Sequence, residues 1–317
     1  MQSMNPRWPL GLLLNFALGS AIGSDVVVTE DADTIRILRG EVLVLAYHKT
    51  EVDVPDGVDP LFRRSGFIHP LCTPAGETIT GIQPEDHYHH LGIWHAWVHT
   101  SHGEDEPDFW NLKEGTGRVR YAKTLSINPD GFTVEQEHVA YKGTERVETV
   151  VLREAFQIGV RLEEERHVIS YRVTQTNVTD TALKLPAYRY GGCFAYRACH
   201  DWDQTNSEIL TSEGLDRANS HTSRAKWVRF SGPTAQGEAT MAVLFDPENH
   251  DFPQHIRTWP ADTHNGAVFF NVAPTQEHDW EIPPGGTITM TYTVVVTDTL
   301  AAPEEVEEWW RESAERE

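Results

Sequence analysis

The residues best suited to chemistry form the segment 86–90, which reads Asp-His-Tyr-His-His. Imidazole rings titrate near neutral pH, so they can accept and release protons under physiological conditions. The aspartate could fix one imidazole in a single tautomer. Five of the 16 histidines of the chain fall between His69 and His95. This pattern predicts acid/base catalysis, with His87 and His89 as the catalytic pair.

Two other interpretations of the histidine segment stay open. Several neutral imidazoles beside a carboxylate are good ligands for zinc or iron, so the segment could bind a metal ion. The histidines could also be structural, in a loop where they bond only to the backbone. If the segment is extended, His87 and His89 point one way, and Tyr88 and His90 point the other. We predict no cofactor, with a metal ion held by the histidine cluster as the alternative.

A second polar group lies at Tyr188–Gly192, which reads Tyr-Arg-Tyr-Gly-Gly. The two glycines permit unusual backbone geometry or the close approach of another group. The planar guanidinium of Arg189 can hold a carboxylate or a pair of hydroxyls. We therefore predict Arg189 as a catalytic residue and Tyr190 as a substrate-binding residue.

A third group begins at Trp259 and includes Asn265, and Asn271 follows a few residues later. An indole beside amide groups suits stacking on a sugar ring with contacts to its hydroxyls. We predict that Trp259 and Trp94 stack on a sugar, and that Asn265 and Asn271 bind hydroxyl groups.

The composition is that of an acidic globular protein. The 317 residues include 26 Lys+Arg and 48 Asp+Glu, which gives a formal net charge of −22. Nucleic acids and anionic membrane surfaces attract basic patches, so this charge argues against both as partners. The three cysteines are too few for a disulfide framework.

The first 24 residues have the pattern of a signal peptide. Arg7 precedes the apolar stretch Trp8–Gly19, and small residues follow it. The apolar stretch is too short to span a bilayer as a helix of the mature protein. We expect export to the periplasm or the cell exterior, with no membrane partner after cleavage, and a cytoplasmic protein as the alternative.

Alternating apolar and polar residues predict strands at 169–174 and 288–296. Further predicted strands are Thr34–Arg39, Val42–His48, Phe132–Ala140, Glu148–Leu152, Val160–Glu164, Trp227–Phe230, Met241–Phe245 and Ala267–Val272. One helix is predicted at 304–317, opened by Pro303. Many strands and little helix predict an all-β fold: a large antiparallel β-sandwich with a short C-terminal helix. We assign 25–317 to one domain.

Several segments carry a resemblance to a known family: Gly66–Leu71, Asp86–Trp94, Asp108–Asn111, Tyr188–Gly192, Asn206–Gly214 and Phe269–Asn271. On these motifs the chain resembles the soluble bacterial β proteins called "methane oxygenase PmoA-like", over nearly all of the mature chain. The membrane oxygenase subunit behind that name is a bundle of apolar spanning helices. Strand periodicity excludes that fold here. The resemblance implies a role in carbohydrate catabolism.

The end of the chain resembles aldose-mutarotase-type supersandwiches. The likeness lies in Trp280–Thr287 and the long alternating strand that follows. It implies a galactose-mutarotase-like supersandwich whose broad sheet face binds a sugar through paired histidines, an arginine and a carboxylate. Glu277 is the nearest candidate for the glutamate that precedes a similar turn in those proteins.

Together these features predict a carbohydrate-active enzyme that cleaves or isomerises a sugar or glycoside by histidine acid/base chemistry. Its class is a glycoside hydrolase, a lyase or a sugar epimerase, acting on a small molecule or an oligosaccharide. His69 and His90 are predicted to bind substrate beside the catalytic pair. The alternatives are a non-catalytic glycan-binding protein and a metal-dependent enzyme that uses the histidine cluster.

Overall fold

The computed structural model describes residues 26–163 and 165–315. The predicted signal peptide at 1–24 lies outside this part of the chain, so export stays a prediction, as does the one-domain assignment. Within the described residues, the structure contains no helix with the length and apolar character needed to cross a bilayer.

Two antiparallel sheets, with strands numbered along the chain, make up the two layers of the described residues. The first has nine strands, in spatial order β1 (Val26–Glu30), β2 (Thr34–Arg39), β3 (Val42–His48), β4 (Phe67–Leu71), β5 (Ile93–Ala96), β12 (Gly192–Arg197), β18 (Phe269–Val272), β17 (Gln254–Thr258) and β14 (Arg224–Ala225). The second has eight, in spatial order β13 (Glu208–Thr211), β15 (Trp227–Thr234), β16 (Gly237–Phe245), β20 (Thr287–Thr297), β10 (Arg166–Asn177), β9 (Val147–Leu162), β8 (Gly131–Lys142) and β7 (Gly117–Asn128).

A small third sheet and one helix complete the architecture. The sheet contains β19 (Trp280–Ile282), β11 (Leu183–Leu185) and β6 (Ser101–His102). The helix α1 (Pro303–Ala314) buries Val306 in a cluster with Trp227 and Val295 of the second sheet. The fold prediction is therefore confirmed: the protein is an all-β antiparallel sandwich with a short C-terminal helix.

The boundaries of β2 and β3 agree with the predicted strands, whereas β9 differs from its prediction. The sequence predicts two short strands, at 148–152 and 160–164, but β9 runs without interruption through Val147–Leu162. The predicted gap contains Glu154, a charged residue at a position that faces the core, next to the core residue Phe156. A carboxylate there interrupts the apolar period on which the prediction depended.

Aromatic side chains fill the space between the two large sheets. Phe194 of β12 contacts Tyr171 of β10 with ring centroids 4.9 Å apart, and Phe270 of β18 contacts Phe230 of β15 at 5.1 Å. Successive side chains of a strand point to opposite faces. The neighbours of these core residues therefore lie on the outer face of the first sheet, which is turned away from the second sheet.

Candidate functional site

The outer face of the first sheet carries the floor of the candidate site. Four adjacent strands, β5, β12, β18 and β17, contribute Trp94, Arg197, Phe269 and Arg257. Trp94 lies within 5.3 Å of Trp110, measured between ring centroids, and within 6.2 Å of Phe269. The loops that enter and leave these strands build the walls over this floor.

The histidine segment forms two successive turns, so it is not extended, and the alternating faces expected of an extended segment do not apply. The N–H of His87 donates to the carbonyl of Pro84, and the N–H of His90 donates to that of His87, each over 2.9 Å. The turns bring three imidazoles together. The ring centroids of His87 and His89 both lie near His90, at 4.7 Å each.

Gly92 connects these turns to β5 in a backbone conformation that favours glycine. Its φ is +60°, and a Cβ there would lie 2.3 Å from the carbonyl oxygen of Ile68. Its own N–H donates to Gly81 and its carbonyl accepts from Arg197. Gly92 thus allows the close chain approach that fixes the histidine turns against the sheet.

We expect Gly92→Ala to destabilise the protein by about 1–3 kcal/mol more than Gly40→Ala, because of the clash with the Ile68 carbonyl. Gly40 is a matched control: it has the same φ of +60°, but no atom lies within 4 Å of its hypothetical Cβ. Both variants carry the same left-handed strain of about 1–2 kcal/mol. Urea unfolding measures the difference, and equal losses for the two variants would contradict this account.

A cleft of about 270 Å³ opens above the floor, and we call it the basic cleft. Its lining residues are His87, His89, His90, Trp110, Asn111, Arg189, Tyr190, Arg257, Trp259, His264 and Phe269. The structure thus brings six of the predicted site residues together: His87, His89, His90, Arg189, Tyr190 and Trp259.

A second cavity of about 650 Å³ shares His264 with the basic cleft, and we call it the acidic cavity. Its lining residues are Gln83, Pro84, Glu85, Asp86, Arg197, Cys199, His200, Trp202, Asp203, His264, Asn265 and Ala267. The predicted residue Asn265 therefore lies in this neighbouring cavity.

Asp86 connects the polar groups at the border of the two cavities. Its Oδ2 lies 3.0 Å from Nδ1 of His87 and 3.5 Å from Nδ1 of His264, and its Oδ1 lies 3.8 Å from Nη2 of Arg197. Nδ1 of His87 makes no hydrogen bond of good geometry, but the carboxylate charge 3.0 Å away favours the tautomer with its proton there. That tautomer leaves Nε2 of His87 as a proton acceptor. This arrangement can support general base catalysis.

Burial keeps the site imidazoles neutral at pH 7. It lowers the pKa of His87 below its usual value, although the Asp86 carboxylate opposes this shift. The pKa of His89 is lowered to about 3, and that of His90 falls well below the usual value, again through burial. His87, the imidazole nearest a carboxylate, is therefore the best-placed base of the three.

The two tryptophans predicted to stack on sugar do not present free faces. Trp94 is 1% exposed and lies under His90, with ring centroids 5.0 Å apart. Trp259 is 3% exposed, and the ring of His264 is stacked on it at 3.9 Å. The prediction is corrected accordingly: Trp94 supports the floor, and His264 occupies the face of Trp259 that a sugar would need.

Asn271 and His69 lie outside both cavities. The buried amide of Asn271 accepts from the N–H of Gly191 and donates to the carbonyl of Phe194, each over 2.9 Å. It is not available for hydroxyl groups of a substrate and instead fixes the loop that carries Arg189. Nδ1 of His69 lies 2.9 Å from Oγ1 of Thr80. We therefore withdraw these two residues as direct substrate contacts.

Glu277, implied by the mutarotase resemblance, also lies away from both cavities. Its Oε2 is 3.1 Å from Nε2 of His255 and 3.2 Å from Nη2 of Arg224. Conversely, the sequence prediction missed Arg257 as a site residue. Arg257 lies two positions before Trp259, so the period of two in a strand would have placed both on one face.

His95 belongs to a different cluster from the histidines of the basic cleft, because it faces the core. Its Nε2 lies 2.7 Å from Oε2 of Glu154, and the Nε2 of His138 lies 3.0 Å from the same oxygen. Gln136 and Gln175 each donate to this carboxylate over 2.8 Å. The spacing of His95, His138 and Glu154 could hold a metal ion. However, hydrogen bonds from four protein side chains already surround the carboxylate.

Fold and site together define an all-β sandwich with a histidine-lined cleft on its outer sheet face. The chain belongs to the family described as a family of unknown function (DUF6807), which it matches over residues 34–311. The PmoA-like name finds no support in the comparisons. No curated protein matches the sequence.

Solved structures with some similarity include galactose-mutarotase-like proteins. A galactose mutarotase related enzyme from Lactobacillus acidophilus is 7% identical with a TM-score of 0.44, over 87% of this chain and 100% of that chain. A galactose mutarotase-like protein from Lactobacillus casei is 11% identical with a TM-score of 0.36, over 86% and 99%. A polysaccharide lyase is 11% identical with a TM-score of 0.39, over 91% and 34%. Similarity at this level carries no argument about activity.

Proposed function

We propose that the protein is a carbohydrate-active enzyme that cleaves or isomerises a sugar or glycoside, with His87 as its general base. The observation that carries this proposal is the Asp86–His87 pair at the border of two open cavities, with Nδ1 and Oδ2 3.0 Å apart. A neutral imidazole beside a carboxylate at a cleft suits proton abstraction at pH 7.

The surrounding groups supply binding and electrostatic stabilisation. Arg197 approaches Asp86 from the sheet, and its guanidinium carbon lies 5.2 Å from the ring centroid of Trp259. Arg197 also lines the acidic cavity, where its positive charge stabilises negative charge that develops on a bound substrate. His89 remains neutral down to about pH 3. We therefore assign His89 a hydrogen-bonding role in place of the proton transfer predicted from sequence.

A metal-dependent enzyme is the second candidate, and one observation favours it. Asp86, His87 and His264 each offer a ligand atom, and these atoms lie within 4.8 Å of one another. Two imidazoles and a carboxylate form a donor set that suits zinc or iron. In this version the same three residues would hold the ion, which would supply Lewis-acid chemistry at the site.

Turnover of a carbohydrate panel by the wild-type protein tests the proposal. The panel contains glycosides, polyuronides and reducing sugars, so that hydrolysis, elimination and epimerisation are all measured. Turnover supports the enzyme, whereas calorimetric binding of a glycan without turnover favours a glycan-binding protein and contradicts it. Elemental analysis separates the two enzyme versions: activity that depends on stoichiometric bound metal favours the second.

A further inference from the structure

The basic cleft has a charge opposite to that of the chain as a whole. The sequence contains 48 acidic and 26 basic residues. Among the described residues, none of the acidic ones lines this cleft, whereas two arginines do. The four histidines that also line it are neutral at pH 7, because the pKa of each is lowered, so the positive charge comes from the arginines. Cations gathered in a hollow of an acidic protein concentrate anions there.

The two arginines, Arg189 and Arg257, line the same cleft and both contact the ring of Tyr190, and no carboxylate of the described residues lines the cleft with them. Their guanidinium carbons are 5.6 Å and 4.8 Å from the ring centroid of Tyr190. Within the described part of the chain, no ion pair reaches either guanidinium, and Nη1 of Arg257 is buried without a hydrogen-bond partner. The pKa of Arg257 is lowered, mainly by burial and then by the charge of Arg189.

Asp108 acts on Tyr190 electrostatically but does not neutralise the arginines. Its Oδ1 accepts from the N–H groups of Trp110 and Asn111, and its Oδ2 accepts from Nδ2 of Asn111 over 2.6 Å. Oδ1 of Asn111 in turn accepts from the hydroxyl of Tyr190 over 3.2 Å. The hydrogen bonds of this carboxylate therefore stay within its own turn. A bound anion would reduce the repulsion between the two guanidinium groups.

We infer that the basic cleft binds an acidic sugar, whose anionic substituent is held by Arg189 and Arg257. The inference rests on the proposed function and names its substrate class. Carboxylate, sulfate and phosphate groups share the paired oxygens that a guanidinium fork binds. His264 lines both cavities, so a sugar anchored at the arginines extends toward the Asp86–His87 pair.

Isothermal titration calorimetry with four matched sugars tests this inference. The ligands are glucose, glucuronate, glucose 6-sulfate and glucose 6-phosphate, and the proteins are wild type, Arg257→Gln and Arg172→Gln. We expect at least one acidic sugar to bind at least about tenfold more tightly than glucose. Arg257→Gln weakens that binding by roughly 10- to 100-fold. Arg172, an exposed residue on the second sheet, is the matched control and leaves the binding unchanged.

Equal affinity for glucose and the acidic sugars, or binding of none of the four, would overturn the inference. An unchanged affinity in Arg257→Gln would also overturn it. If that variant does not fold, Arg189→Gln takes its place, because the side chain of Arg189 is exposed. The acidic sugar that binds best identifies the anionic group.

Failure of this inference differs from failure of the proposed function. Turnover of neutral sugars with a KM that Arg257→Gln does not change rejects the acidic sugar and retains the enzyme. Arginine-dependent binding of an acidic sugar, without turnover of any compound in the panel, retains the acidic sugar and rejects the enzyme.

Discussion

The His87→Gln variant loses about 10²- to 10⁴-fold in kcat/KM on the substrate of the wild-type protein, because it lacks the general base. Its fold is retained, since His87 lies in a surface turn beside the cavities. Steady-state kinetics and circular dichroism measure the two properties. His278→Gln, at an exposed position outside both cavities, is the control and retains full activity. Wild-type activity in His87→Gln would remove this residue as the base.

The pH profile of kcat/KM reports the same imidazole. Burial lowers the pKa of His87 below its usual value, Asp86 raises it, and the positive charges of Arg197 and of His264, once that ring is protonated, lower it. The base must be unprotonated, so activity falls as the pH drops through this pKa, below about 6.5. Asp86→Asn removes the raising charge, so the acidic limb moves to lower pH.

His89 gives a different result, which separates it from His87. The pKa of His89 is about 3, so this ring does not titrate in the range where the acidic limb lies. We expect His89→Gln to lower the rate without moving the limb. A limb that shifts in His89→Gln and stays in Asp86→Asn would assign the base to His89.

The second large effect is on stability: Glu154→Leu lowers the free energy of unfolding by about 3–5 kcal/mol. Glu154 is 1% exposed and accepts hydrogen bonds from both glutamines and both histidines of its cluster. Removing the carboxylate leaves these donors unpaired. It also removes a negative charge that stabilises the buried guanidinium of Arg64 electrostatically. At about 2–4 °C for each kcal/mol, the Tm falls by roughly 10 °C.

Glu148→Gln is the matched control for this stability effect. Glu148 lies on the same strand, β9, but it is exposed and pairs with Arg120 at 2.8 Å. An exposed pair contributes less than about 1 kcal/mol. Similar losses in the two variants would show that the buried cluster contributes no more than a surface ion pair.

The stability from Glu154 depends on pH in a defined direction. The His95 and His138 side chains and their hydrogen bonds hold its pKa well below the usual value, against the opposing effect of burial. A carboxyl whose pKa is depressed in the folded state stabilises the protein above its unfolded pKa, about 4.3, and loses this contribution as the pH falls. The difference between wild type and Glu154→Leu therefore shrinks below about pH 4.

Local patterns predicted the elements better than the site. The strands β2 and β3 were predicted to the residue, because each is a short, mostly apolar run and the turn at Gly40 and Glu41 separates them. The histidine segment was recognised as a cluster. Its two turns depend on backbone hydrogen bonds, which the spacing of apolar residues does not predict. The composition of the segment therefore indicated its chemistry without its geometry.

The features of the site that the sequence did not predict depend on contacts between residues that are distant in the chain. His95 and Glu154 are 59 positions apart, and nothing local to either residue indicates that they meet between two sheets. The stacking of His264 on Trp259 depends on the course of a short loop, so the free indole face predicted from sequence was not observed. In contrast, Arg257 could have been predicted, because the strand period relates it to Trp259.

Trp94 and His95 are consecutive residues of β5, and their side chains lie on opposite faces of the first sheet. Insertion or deletion of one residue in this strand would exchange them, and would put an indole against Glu154 and an imidazole under the cleft. Natural relatives should therefore tolerate substitutions around this dipeptide more readily than changes in strand length. The evolutionary record of β5 is expected to be almost free of gaps.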